Sequence, residues 1–551
     1  MMRRAGFLAL LSLACLSLAA SEAERRSLEA WQAALTATDR RQRIEYLTES
    51  LAERYSHAAE FLLGRTVWDD PAEAYLAADL LLTRLEETNA TPELKTAEWL
   101  TVGLRRRFPM WKIGFDRWRQ LEEAALAPLR QKDADTLAPA ERNIAAELAR
   151  QLAFDERALL RFEDALRTYD EVRSLDPEPE ADAEPDAFRA LTAFAATVWD
   201  PENAALQKCL HAELEALAAQ EPADDDPPEA WFKFGNWYLQ FRDEAAACRV
   251  MRKLETLHPH WPGTIVFRLR LLEWQGDYAA LAEQAALLER EKIELPAAYL
   301  LRFRAALCAE RWEEAVKMAK KLREAPDAPS PMLADALMRA GRWREADAEI
   351  RRSPSPVREK LLLIKAMHRK DFKKALESLQ QAEAKAQGEH LKELRLALVG
   401  LAEGAGNRDL LEECWAKLEK SGDLADPEAA NAVGYTAATM SYKLPEARKL
   451  IGSALAADPF SAAYQDSMAW VLFKEGDLAG ARTWIERSLA CSDRENDTEL
   501  ECHAGDICAA QGDREAAAAH YRRALAIRPR QPELNEAAIR AKLAKLEQPL
   551  P

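Results

Sequence analysis

ARKLIGSA (447–454), ARTWIERS (481–488) and AAAHYRRA (517–524) are the stretches that decide how this chain folds. Each opens on an alanine, with a bulky residue four positions on (Ile451, Ile485, Tyr521) and a small one seven positions on (Ala454, Ser488, Ala524). That spacing places all three on one face of an α-helix. The opening alanines Ala447, Ala481 and Ala517 are 34 and 36 residues apart, and each follows a small residue (Gly434, Ala469, Gly505) by twelve or thirteen positions. Pro459 and Pro529 close two of the blocks. A small residue on one helix lets the next approach closely, and the bulky ones fill the groove between them.

The same logic recurs upstream at 229–259. Trp231, Phe234, Gly235 and Tyr238 have the spacing of a first helix, Ala247, Met251 and Leu254 that of a second, and Pro259 ends it. The period and residue types resemble the tetratricopeptide repeat, a helix–turn–helix unit. NAVGYT (431–436) and DSMAWV (466–471) look especially like exported bacterial members of that family. The resemblance implies an all-α, right-handed α-solenoid that binds proteins on its concave face. Carried over residue by residue, that face includes Phe232, Asn236 and Leu239 in one repeat, then Asn431 and Tyr435, then Asp466, Trp470 and Phe473, and finally Asp506. It lacks the lysine and arginine cluster with which some members clamp a terminal carboxylate. A helix or extended segment held by aromatic anchors and side-chain amides is the expected ligand.

Other units read less regularly. Phe162, Ala165, Tyr169 and Val172 form a second helix, and Gly276-Asp277-Tyr278 with Ala285 and Leu288 marks a further unit. Ala315, Ala346 and Ala375 anchor three more, only 31 and 29 residues apart, so helices or turns are trimmed there. Residues 24–175 read as divergent helical repeats, with an apolar face of Tyr75, Leu76, Leu80 and Leu85 and with Trp99, Trp111 and Trp118 nearby. Acidic, proline-rich stretches near 176–186 and 221–228 suit exposed linkers around a helical pair. Repeats of varying clarity then fill 229–425 and clear ones 426–531; residues 532–548 read as a capping helix with one wet face.

The composition agrees: 551 residues, only 19 glycines, and 27 prolines gathered between the periodic segments. A length too great for one compact core suits an array whose units pack on their neighbours. A formal charge of −17 argues against a nucleic-acid backbone as partner. The run Arg105-Arg106-Arg107 reads as a solvated helix end.

The first 21 residues read as an export signal: Arg3 and Arg4, then an apolar stretch from Phe7 to Ala20 too short to span a bilayer. Its loss would change the charge to −17 − 2 = −19. Ser12-Leu13-Ala14-Cys15 resembles a lipoprotein box, apart from Ser12 where that family prefers a branched aliphatic residue, so Cys15 is a candidate for lipidation. The expected location is the periplasm, with an outer-membrane association if Cys15 is acylated. The seven later cysteines are scattered and odd in number, which suits small buried hydrophobes, with one bridge among Cys491, Cys502 and Cys508 open.

Signatures of catalysis are missing from the sequence. There is no Gly-rich phosphate loop, no Gly-x-Ser-x-Gly elbow and no Cys-x-x-Cys pair. His258-Pro259-His260 reads as a turn between repeats, and Cys502-His503 point about 100° apart on a helix, poorly placed as nucleophile and base. The chain reads as a non-catalytic, cofactor-free adaptor for protein partners in a bacterial envelope. The competing reading is a carbohydrate- or envelope-polymer-binding module using Trp470, Tyr435 and Trp237.

Overall fold

The computed structural model describes residues 22–67, 70–88, 91–108, 112–132, 136–175, 185–290, 296–323, 330–354, 357–492, 497–531 and 535–548. The expected export signal with Cys15, Trp111 and the expected first linker at 176–184 lie outside these residues. Among the described residues there are 29 α-helices and no strand. No described helix is long and apolar enough to cross a membrane. The protein is an all-α solenoid of helix–turn–helix repeats, divided into two compact units, Met1–Ala218 and Ala219–Pro551.

In the second unit the first helix of a repeat packs on its own second helix and, in most repeats, on the first helix of the next, as Pro427–Thr439 does with Leu444–Ala457 and Ala462–Glu475. The turn inside each repeat follows one design. Arg242, Gly276, Glu310, Gly341, Lys370, Gly406, Ser441, Gly476 and Gly512 all adopt positive φ, and by their numbers they recur at intervals of 34, 34, 31, 29, 36, 35, 35 and 36. The shortened 31 and 29 fall where Ala315, Ala346 and Ala375 are equally close.

Two backbone constraints explain that ruler. The left-handed residue ends the first helix, and the amide after it reaches back to a carbonyl five residues earlier (Asp277 N to Leu272 O, 3.0 Å; Asp477 N to Leu472 O, 3.0 Å). That following residue then caps the second helix. Asp243, Asp277, Asn407, Asp477 and Asp513 each accept a backbone amide three positions on, at 2.9–3.1 Å. A Gly-Asp pair is therefore a complete turn between antiparallel helices.

The small anchors stand where helices touch most closely. A Cβ on Gly434 would meet the Ala447 carbonyl at 2.9 Å and Ile451 Cγ1 at 2.8 Å. On Gly235 it would meet Phe267 at 2.4 Å, and on Gly505 Tyr521 at 2.5 Å. Ala447, Ala481 and Ala517 are fully buried. From Ala366 to Ile507 the core is one extended cluster in which Ala and Leu predominate, rather than one central mass.

The first unit is less regular. Its helices, Glu22–Thr36 to Ala204–Ala218, include a π-helical stretch at Trp99–Leu104 that runs into a short 3-10 turn at Arg105–Arg107. Here the structure corrects the sequence reading. Arg105 is 2% exposed, not solvated. Its guanidinium forms a forked ion pair with the buried Asp155 (Nη1–Oδ2, 2.8 Å), also lies 3.4 Å from Glu122 and stands over the Trp118 ring. Arg106 alone behaves as a solvated member of the run, 65% exposed. The irregular turn aims Arg105 inward, which a count of charges cannot reveal.

Candidate functional site

Three successive first helices, Pro427–Thr439, Ala462–Glu475 and Thr498–Ala510, bring together most of the C-terminal residues singled out from sequence. Spacing by four aligns Asn431, Tyr435 and Thr439 on the first, Asp466, Trp470 and Lys474 on the second, and Glu499 with His503 on the third. Their side chains interlock. His503 Nδ1 lies 2.9 and 3.0 Å from the two Asp466 oxygens. The His503 ring stacks on Trp470 at 3.9 Å between centroids, and Trp470 stacks on Phe473 at 5.1 Å. Trp470 Nε1 donates to Thr439 Oγ1 at 3.2 Å, and the Tyr435 hydroxyl donates to Glu499. Lys474 Nζ sits 4.4 Å over the indole.

The electrostatics follow from burial. Desolvation alone would strip the proton from His503, but the hydrogen-bonded Asp466 carboxylate, with Glu499 and Asp506, raises its pKa above the usual value. A charged imidazole over an indole face is a cation–π pair. Burial and then the Glu499, Glu403 and Asp466 carboxylates hold the Tyr435 proton firmly on. Asp497, the cap of the third helix, is pushed up to about 6 by burial despite its backbone hydrogen bond, with Asp466 and Glu499 adding to the shift. Burial lowers the Lys474 pKa, and Lys542 adds to that.

Several candidates are packed rather than open. Trp470 is 7% exposed and Asp466 8%. Asp506 is tied to Lys542 Nζ at 2.6 Å and to the Tyr521 hydroxyl at 2.5 Å, so it binds the capping helix to the last repeat. Phe232 packs edge-on against Trp261 and Phe267. Asn236 bonds its own helix at Phe232 O and accepts from Arg270. Leu239 is half-buried on the same helix, distant in sequence from the C-terminal group. Asn431 is half-buried. Trp237, 9% exposed, stacks on Phe241. Open indole faces for sugar stacking are thus absent at Trp470 and Trp237.

Glu499 escaped the sequence reading, which weighed His503 only as a base for Cys502. The useful signal was a histidine inside a small-residue first helix, one turn from an acid.

Chemically the cluster holds three first helices together through hydrogen bonds and ring stacking. Burial pushes the neighbouring Cys502 thiol up to about 12, the reverse of an activated thiolate. Among the described residues no group of three or more His, Cys, Asp or Glu could hold a metal ion, and all seven cysteines are unbridged thiols.

The family model for the tetratricopeptide repeat matches residues 502–531. The chain carries tetratricopeptide repeats. The matched unit joins the His503 helix to the second helix Arg514–Ala526. A TPR repeat-containing protein of Pseudomonas aeruginosa is 37% identical over 78 residues, which span 14% of this chain and 13% of that relative. Among solved structures, the APC/C hetero-tetramer Cut9-Hcn1 is similar at 14% identity and a TM-score of 0.26, over 92% of this chain and 96% of that one. A tetratricopeptide repeat protein from Parabacteroides merdae is similar at 15% identity and a TM-score of 0.25, over 58% of this chain and 99% of that one. Tetratricopeptide repeats are protein-interaction scaffolds, and that is the class of activity to which these repeats belong.

Proposed function

We propose that this chain is an exported, non-catalytic scaffold that holds protein partners in a bacterial cell envelope, with the helices carrying Tyr435, Trp470 and His503 as its contact face. The observation that carries the reading is the cross-helix network itself. Trp470 touches the first helix through Thr439 and the third through His503, and Tyr435 bonds Glu499, so three repeats present one rigid surface. A preordered scaffold spends little conformational entropy on binding, which favours a partner segment that orders on contact. The half-buried Tyr435 and Phe473 and the exposed Glu499 supply an aromatic and acidic rim for it. The charged, then apolar, N-terminal segment supports export, and Cys15 supports a lipid anchor.

The test is a crosslinking pull-down from the envelope fraction with the wild-type chain beside a Tyr435→Ala, Phe473→Ala variant. These positions are preferable to Asp466 and Trp470, whose loss would disturb the buried His503. A defined protein partner lost in the variant supports the reading; a partner retained by it places the contact elsewhere. Intact mass of the chain recovered from that fraction tests export: cleavage near residue 21 or a lipidated Cys15 supports it, and an untrimmed N-terminus overturns it.

A further inference from the structure

Repeats far apart in the sequence of the second unit meet along one line. Arg242 donates to the Ser492 carbonyl at 2.6 Å, 250 positions away. Beyond it, the segment Arg528-Pro529-Arg530, which follows the last repeat, lies along the turns of the repeats around 278–339. The Cys308 thiol donates to the Arg528 carbonyl at 3.6 Å and Arg339 Nη1 to the Arg530 carbonyl at 2.6 Å. The Tyr278 side chain stands beside the Arg528 backbone. Both guanidinium groups converge on one carboxylate: Arg528 Nε and Arg530 Nε lie 3.3 and 3.0 Å from Glu310 Oε1.

This is the way an extended peptide is recognised, with main-chain groups bonded along its length and side chains read at alternate positions. A second observation marks Glu310. It occupies the left-handed position of its turn, φ 56°, where five of the nine equivalent turn positions carry glycine. A glutamate there is strained relative to glycine, as Arg242, Lys370 and Ser441 are at their own turns, and at this turn the side chain is the one that meets both arginines. The carboxylate that holds both arginines is held in place by that strained turn.

We propose that the turn edge formed by Tyr278, Cys308, Glu310 and Arg339 is a docking site for extended segments carrying an Arg-x-Arg pattern, and that residues 528–530 are its resident intramolecular occupant. A partner with that pattern binds by displacing them. The site is separate from the Tyr435–Trp470 face, so each reading stands or fails alone. The strongly acidic chain favours approach of a cationic segment.

The probe is a fluorescent peptide copying residues 525–531, titrated by anisotropy into the full chain. Removing the internal occupant raises the fraction of competent sites, and apparent affinity rises in proportion. An Arg528→Ala, Arg530→Ala chain is expected to bind the peptide at least about tenfold tighter than wild type. Adding Glu310→Gly is expected to abolish the gain, and because glycine relaxes the turn, this variant keeps its fold. Equal binding by wild type and the double variant, or binding retained with Glu310→Gly, overturns the proposal. The unmodified protein gives an independent measurement: saturating peptide is expected to speed amide exchange in residues 525–531, and unchanged exchange overturns the displacement. Pull-down through the Tyr435–Trp470 face is unaffected in either case.

Discussion

His503 and Asp466, 37 positions apart in sequence, form a buried hydrogen-bonded pair between adjacent repeats, Nδ1 to Oδ1 at 2.9 Å, beneath the Trp470 indole. The pair welds the 462–475 helix to the 498–510 helix at the centre of the candidate face. Its charge state is the property of that face most open to direct measurement.

The folded pKa of His503 is raised, so the stability it contributes is complete below the unfolded value of about 6.5 and is lost as pH rises through the folded value. Asp497 acts in the same direction over a lower window: its folded value of about 6 exceeds the unfolded one, so stability falls as pH rises from about 4 to 6. An NMR titration is expected to place the His503 imidazole above about 6.5 and to find it lowered in Asp466→Asn. Asp497→Asn keeps a good helix cap while removing the charge, and is expected to raise stability at pH 7 by about 1–2 kcal/mol. A His503 titrating below the ordinary value would contradict the pairing.

In the first unit, Arg105→Ala leaves Asp155 buried without its partner and is expected to cost about 3–5 kcal/mol. Arg106→Ala, one residue on and largely exposed, is expected to change stability by less than about 0.5 kcal/mol. Urea midpoints of the two variants check the contrast. Burial, with the Asp155 carboxylate beside it, also raises the Glu122 pKa well above its usual value, against the pull of Arg105.

Two glycines eighteen positions apart should respond oppositely to alanine. Gly434→Ala forces a Cβ against the Ala447 carbonyl, a backbone atom that cannot step aside, and is expected to destabilise by about 1–3 kcal/mol. Gly452 lies within helix Leu444–Ala457, where a Cβ would meet nothing within 4 Å, so Gly452→Ala is expected to stabilise by about 0.5–1 kcal/mol. Thermal melts of both variants separate close packing from helix propensity.

The left-handed turn positions give a third contrast. Lys370, φ 53°, is exposed, so Lys370→Gly is expected to stabilise by about 1 kcal/mol. Gly476→Ala, φ 88°, is expected to cost about 1–2 kcal/mol although nothing lies near its Cβ. Urea titrations of the two chains measure these shifts, and unchanged midpoints would remove the turn geometry as their cause.

Much of the repeat was legible in sequence because it depends on local rules. The Ala447, Ala481 and Ala517 ladder, the small anchors Gly434 and Gly505, and the turn at Gly276-Asp277 each encode a helix contact or a helix end within a few residues. Where glycine is replaced, as at Arg242, Glu310, Lys370 and Ser441, the backbone keeps the left-handed turn but the letter no longer announces it. The candidate face was legible only in part. Repeat position aligned Tyr435, Asp466 and Trp470, but not the partners that cover them.

The sequence by itself determined the all-α repeat, its period near 34 and its shortened middle, because helix periodicity and turn chemistry act between near neighbours. Only the tertiary structure decided that Arg105 is buried, that His503 lies between Asp466 and Trp470, and that Glu310 holds Arg528 and Arg530. Those pairings span 50, 37 and about 220 positions. They arise from how successive helices rotate and stack, and small rotations add over many repeats in a way that no local pattern records.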